Sequence, residues 1–285
     1  MPPPPPLPPL LTLPTPPALP PGSTILVTGA NGLIASHICD LLLAQGHHVR
    51  GAVRSLTRSA WLATLLAARH GADAFTLIEV PDMAAPGAFD AAMRGVQGVA
   101  HVASVMLSAD GEEDAGAVVR GTVGGVREVL GAVGRVGGVG GVRRVVFVPS
   151  GVFGRPLSHE HQGYPSSSQW APKAFTGDPD FKRFPTFYWI NIKDMARLHV
   201  AALLHPEVKN ERIFGFAGTY TMNEFLAFYR KHYPDREFPE DIPGVECDLA
   251  EIEPAKRAEE LLKEMGRPGY ETLEDTVLDN IIDIA

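Results

Sequence analysis

The stretch Thr24–Arg54 reads TILVTGANGLIASHICDLLLAQGHHVRGAVR. Its first five residues make a short apolar run, the mark of a strand buried on both faces. The turn GANG follows. Next, LIASHICDLLLAQG places apolar residues at helical spacing and stops at Gly46. HVRGAVR then alternates as a second strand. A strand, glycine turn, helix and strand within about thirty residues form a βαβ unit, which predicts a parallel sheet with a right-handed crossover.

The alternation continues downstream. A helix is predicted near Ser59 to Arg69, a strand over FTLIEV, a helix near Phe89 to Arg94, a strand over GVAHVAS, a long helix from about Asp114 and a strand over RRVVFVPS. Strands and helices taking turns predict an α/β fold, a doubly wound parallel sheet of the Rossmann kind. Nine glycines between Gly121 and Gly141 weaken the second half of the long helix. After Gly154 the alternation lapses through five prolines up to Pro185. It resumes with the strand TFYWINI, the helix KDMARLHVAALLH and the strand RIFGFA. TMNEFLAFYRKHY follows with Thr221 and Glu224 at capping-box spacing, and then EPAKRAEELLKEMG and TLEDTVLDNII. The chain therefore divides into a tail (1–22), a nucleotide-type domain (23–153), an irregular connection (154–185) and the last sheet elements with a smaller, mainly helical lobe (186–285).

Composition narrows the function. With 45% hydrophobic and 20% charged residues the chain has the make-up of a globular protein, and its net charge of -8 supplies no basic patch for nucleic acid. The two cysteines, Cys39 and Cys247, lack any CxxC or His-Cys cluster, so neither a metal site nor a disulfide framework is expected, and a reducing, cytoplasmic setting is. Twelve prolines in the first 21 residues, with no basic start and no unbroken apolar core, predict a disordered, partly polyproline II tail; it lacks the basic flanks of an SH3-type docking segment. No stretch approaches the ~20 apolar residues of a membrane span, so no membrane is expected as a partner.

The turn after the first strand carries chemistry. Gly29 permits the tight turn, Gly32 lets backbone approach a pyrophosphate, and Ala35 at the third position lets the helix pack on the strand. Thr28, Gly29, Asn31, Gly32, Leu33 and Ile34 then frame a helix N-terminus whose free N–H groups suit phosphate oxygens. The second strand ends in Arg54, with Arg58 four residues on, and no Asp or Glu occurs between Asp40 and Asp73. Arginines in place of an acid suit a ribose 2'-phosphate, so NADP is expected as the cofactor.

TGANGLIA, VRGAVRS, VPDM, HVAS, RGTVGGV and YWINIKDMARLHVAAL, taken in order, resemble an extended short-chain dehydrogenase/reductase, in the dihydroflavonol reductase-like branch with its fungal aldehyde and ketone reductases. The resemblance spans about residues 23–150 and 186–283. It implies that Asp82 and Met83 contact the adenine, that Ala103 and Ser104 line the nicotinamide-ribose side, and that the protein is a monomer or homodimer. Gly124 departs from the family, which often has asparagine there.

The resemblance also implies a Tyr proton donor, a Lys four residues later and a Ser that binds the carbonyl oxygen. Ser150, in FVPSGVFG, falls on the serine, although Pro149 is unusual beside it. No tyrosine has a lysine four residues on: Tyr164 is followed at that distance by Ser168, Tyr188 by Ile192, Tyr220 by Glu224, Tyr229 by Tyr233, Tyr233 by Glu237 and Tyr270 by Glu274. The irregular 154–185 connection is the expected seam of a deletion that removed the Tyr-Lys helix and the next strand, leaving apolar surface uncovered. Two readings stand open. One is an NADPH-dependent reductase of a small hydrophobic carbonyl compound, of the kind found in fungal polyketide metabolism. The other is an NADP-binding pseudoenzyme or a truncated gene product without turnover. An epimerase or dehydratase needs the same Tyr and Lys and fits the Arg54 pattern less well.

Overall fold

The computed structural model describes residues 5–105, 114–136, 145–184 and 186–285. The opening unit forms as its sequence dictates. Strand β1 (Thr24–Thr28) leads through the glycine turn into helix α1 (Leu33–Ala44), and β2 (His48–Val53) returns parallel to β1 with Thr24 opposite His48. Helix α2 (Leu56–His70), β3 (Phe75–Glu79), the short α3 (Asp90–Met93) and β4 (Gly98–His101) extend the alternation into a four-stranded parallel sheet of order β3-β2-β1-β4.

Helix α4 (Ala115–Val136) runs unbroken through six glycines. The expected weakening there gives way to packing. A Cβ on Gly124 would stand 2.7 Å from the Ala84 Cβ, and one on Gly125 would stand 2.9 Å from the Met83 sulfur, so these glycines let the helix lie directly on the loop after β3.

Beyond α4 the chain re-enters as β5 (Val145–Pro149), and only Ser150 separates it from β6 (Gly151–Phe153). The connection expected to be structureless is folded. It holds α5 (His159–Gln162), a 3-10 turn at Ser166–Gln169, α6 (Trp170–Thr176) and a second 3-10 turn at Pro179–Arg183. Side chains too scattered to give a period hold it in place. Ala171, Ala174, Phe175 and Phe181 are buried in one cluster with Phe153, Tyr220, Phe225 and Tyr229, and the Tyr229 hydroxyl donates to the Ala171 carbonyl at 2.9 Å.

Strand β7 (Phe187–Asn191), expected from TFYWINI, pairs parallel with β6. Helix α7 (Ile192–Leu204), β8 (Glu211–Gly215), β9 (Gly218–Tyr220), α8 (Met222–His232), α9 (Ala255–Glu264) and α10 (Leu273–Ile281) complete the fold. Strand β8 pairs with β5, and β9 runs antiparallel to β7. The capping box forms: the Thr221 hydroxyl accepts from the Glu224 N–H while the Glu224 carboxylate accepts from the Thr221 N–H. Helices α1 and α7 pack together on one face of the sheets, in a core with Ile25, Val27, Ile38, Leu42, Leu198 and Ile213.

The tail is the largest departure from expectation. From Pro5 onward it lies on the fold. Thr12 donates its N–H to the Met265 carbonyl, Ala18 to Leu204 and Gly22 to Gly46, and Leu11 is buried. Prolines lack an N–H, so the earliest segment is held through its acceptors: Arg69 donates to the Pro5 and Pro6 carbonyls at 2.6 and 3.1 Å. Arg69 is fixed by two hydrogen bonds to Asp40, which also meets His70 at 2.7 Å.

Candidate nucleotide site

The site lies where the C-terminal ends of β1, β2 and β4 meet the start of α1, the crevice in which doubly wound sheets take ligands. Gly29 has φ 65°, a left-handed conformation that favours glycine, and a Cβ there would stand 3.1 Å from the Ala103 Cα. A Cβ on Gly32 would stand 3.1 Å from the Gly29 carbonyl oxygen. The exposed Gly32 opens α1 with no side-chain cap and no acidic residue in the first turn. Among the described residues, then, nothing competes with an anion for the helix terminus, and Leu33 and Ile34 carry the N–H groups that would meet it.

The Thr28 side chain is engaged within the fold. It is buried, and its hydroxyl accepts from the Val102 and Ala103 N–H groups, both at 3.0 Å, while bonding to the His101 Nδ1 at 2.8 Å. That uses its full capacity, so Thr28 ties the end of β1 to the end of β4 and positions Ala103 against Gly29. Ser104 is exposed just beyond.

Arg54 and Arg58 both stand exposed at the start of α2, in reach of solvent and of a phosphate. Ser55 caps this helix by accepting from the Arg58 N–H. Sequence reasoning missed a carboxylate here: Glu79, at the end of β3, accepts from the Leu56 N–H at 3.1 Å. A search for acids along β2 alone could not find it, because sheet pairing brings it in from the neighbouring strand. Asp82 is exposed and accepts from the Ala84 N–H in a tight turn, and the Met83 side chain turns toward Gly125 of α4.

Gln162 is a second residue missed by sequence reasoning. Its amide donates to the Asn31 carbonyl at 3.2 Å and to the Ser36 hydroxyl at 3.0 Å, and the neighbouring His161 stacks on Trp61 of α2 at 5.0 Å. The segment 158–163 thus forms a further wall of the site. No periodicity in SHEHQG signals this.

The expected catalytic set is not brought together. The Ser150 hydroxyl donates to the Gly215 carbonyl of β8 at 3.0 Å, and among the described residues β5 shares no ladder with β4. Burial pushes the Tyr164 hydroxyl up to about 12, and among the described residues it has no hydrogen-bond partner. The Tyr188 hydroxyl donates to the Ala250 carbonyl, whereas Lys193 pairs with Asp279 at 2.8 Å, so the two residues do not act together. Among the described residues no group of His, Cys, Asp or Glu is arranged to hold a metal ion, and no helix is long and apolar enough to cross a membrane.

Residues 25–173 match the NAD dependent epimerase/dehydratase family. The chain is 28% identical to Aldehyde reductase 2 of Sporidiobolus salmonicolor over 92% of its own length and 96% of the relative's. It is 30% identical to Ketoreductase adrE of Penicillium roqueforti, over 90% and 95%. Among solved structures it is similar to yeast methylglyoxal/isovaleraldehyde reductase Gre2 complexed with NADPH, with a TM-score of 0.71 and 19% identity over 92% of this chain and 98% of that one.

Proposed function

The chain belongs to the NAD dependent epimerase/dehydratase family, and on that footing we propose that it binds NADP and serves as a reductase of small hydrophobic aldehydes or ketones. The observation that carries the reading is the uncapped α1 terminus behind Gly29 and Gly32, with Arg54 and Arg58 exposed beside it. In this reading the N–H groups of Leu33 and Ile34 hold the pyrophosphate, the two arginines hold the 2'-phosphate, and Ala103 and Ser104 border the nicotinamide ribose. Bound NADPH supplies a hydride to a carbonyl carbon. Support for the substrate class comes from two relatives named as an aldehyde reductase and a ketoreductase. We place the protein in the cytoplasm as a monomer or homodimer, acting on a carbonyl compound of the fungal polyketide kind.

A second reading, nucleotide binding without turnover, is favoured by a specific observation. No tyrosine is followed four residues on by a lysine, Ser150 is bonded to β8, and the Tyr164 hydroxyl is buried. Protonation of an alkoxide needs a donor in hydrogen-bond reach. Fluorescence titration with NADPH and NADH, followed by NADPH oxidation against a panel of aldehydes and ketones, tests both readings. NADPH is expected to bind at least tenfold more tightly than NADH. Failure to bind either nucleotide refutes the proposal, and binding without oxidation selects the second reading.

A further inference from the structure

The bonding of one hydroxyl fixes the protonation of one ring. A threonine hydroxyl has one O–H to give and two lone pairs to offer. At Thr28 both lone pairs are taken, because the Val102 and Ala103 N–H groups each donate to its oxygen at 3.0 Å. The remaining bond, 2.8 Å to the His101 Nδ1, therefore runs from the hydroxyl to the ring, with Nδ1 as the acceptor. A neutral imidazole that accepts at Nδ1 carries its proton on Nε2. His101 is thus the Nε2–H tautomer.

That Nε2 is buried and, among the described residues, has no hydrogen-bond partner. The ring stands edge to face with Phe89, with centroids 6.2 Å apart and planes at 85°. Burial holds its pKa below the ordinary imidazole value, and among the described residues no neighbouring charge adds to that shift or opposes it. The charged groups on the elements that pack around Phe89 are engaged elsewhere. Asp90 of α3 and Glu128 of α4 both bind Arg135, Glu79 of β3 accepts from the Leu56 N–H, and Arg50 of β2 donates to the Ala92 and Arg94 carbonyls. A second proton on this ring meets no carboxylate.

The two states of the ring differ in what Thr28 can hold. With the ring neutral, the hydroxyl points at Nδ1 and leaves both lone pairs to the end of β4. With Nδ1 protonated, three donors compete for two lone pairs, and the N–H of Val102 or Ala103 loses its acceptor. Ala103 packs on Gly29, where an added Cβ would stand 3.1 Å from the Ala103 Cα. Loss of its bond is therefore felt at the glycine turn.

We propose that His101 is a positioning residue for the nucleotide. As the neutral Nε2–H tautomer it fixes the Thr28 hydroxyl, Thr28 then holds Ala103 against Gly29, and a second proton on the ring releases that hold. His101 acts through Thr28. The role rests on NADP binding at this turn, and it makes NADP affinity fall in acid for a reason that lies in the protein as well as in the phosphates of the ligand.

The oxidised cofactor NADP+ survives acid, so calorimetric titration of the full chain at about pH 7.5 and about pH 5.0 tests this. On acidification the parent should weaken by about threefold or more beyond His101→Asn, whose side-chain oxygen still accepts from Thr28 but does not titrate. Both proteins share the titration of the ligand's phosphate, which cancels in the comparison. His101→Leu leaves the Thr28 hydroxyl without an acceptor and should weaken binding about tenfold near neutrality, and His101→Asn should recover most of that loss. In a Thr28→Val background, His101→Leu should add less than about twofold, because the group it acts through is gone. Ring-nitrogen NMR of the ligand-free parent, with the His101 signals assigned by their absence from either variant, should show Nδ1 bare and Nε2 protonated near neutrality. Equal weakening of parent and His101→Asn in acid, additive losses in the Thr28→Val background, or a ring protonated at Nδ1 overturns the proposal while leaving nucleotide binding intact. A parent that binds no NADP+ at either pH refutes the nucleotide reading and the positioning role together.

Discussion

His37 offers a quantitative test of how the site is held. It lies on α1, is buried, and its Nε2 bonds to the Arg155 carbonyl at 3.0 Å, joining the nucleotide-binding helix to the segment after β6. Burial lowers its pKa from the ordinary 6.5 to about 4. Asp40 and Asp279 nearby and the bond to Arg155 oppose that shift, and Lys193 adds to it. Between these two values the unfolded chain binds a proton that the folded chain refuses, so stability present above about pH 6.5 is lost as the pH falls toward 4. Applied at about pH 5.0 and about pH 7.5, linkage gives a difference of about 2 kcal/mol from this residue alone. His37→Gln keeps a donor within reach of the Arg155 carbonyl and does not titrate. It should cost roughly 1 kcal/mol near neutrality and remove about 2 kcal/mol of the acid sensitivity. Urea unfolding followed by tryptophan fluorescence at the two pH values measures both quantities. If the variant loses as much stability as the parent on acidification, to within about half a kcal/mol, His37 is not the buried neutral group described.

Three further outcomes are expected. Arg54→Asp should weaken NADPH binding at least tenfold and leave NADH binding little changed, whereas Glu79→Gln, by removing a carboxylate beside the same helix start, should tighten NADPH; parallel fluorescence titrations decide this. Gly29→Ala forces a side chain into a left-handed turn against the Ala103 backbone and should abolish nucleotide binding while lowering stability by about 1–3 kcal/mol, read from urea midpoints. Phe175→Ala empties the centre of the aromatic cluster and should cost about 3–5 kcal/mol, with loss of protease resistance across 154–184 if that connection is packed as described.

Local signals were readable in the sequence, and pairings set at long range were not. The first βαβ unit, α7 and the Thr221 capping box follow from residues within one turn or one strand of each other. Ser150 shows the opposite case. The string FVPS identifies a strand and a serine but carries nothing about which strand lies alongside, and that neighbour, β8, comes more than sixty residues later. The tail has no period because proline fixes the backbone without offering a donor; its order depends on Arg69 and Asp40, which lie far along the chain. Connection 154–185 is held by aromatic side chains contributed by β6, α6, α8 and β9, each unremarkable in its own segment. The glycine turn was legible as a cradle, but the Gln162 and Glu79 that border it arrive from elsewhere in the fold.

The wall carrying Gln162 has its footing in the C-terminus. Arg155 bonds through its N–H to Asp279 and through its guanidinium to Asp283, the Gly154 N–H reaches the Asn280 side chain, and the Asn280 amide returns to the Ser168 carbonyl. In the proposed reading, a nucleotide at the glycine turn would bear, through residues 155–162, on helix α10. Loosening of α10 would then disturb a wall of the site from a helix that lies outside the glycine turn.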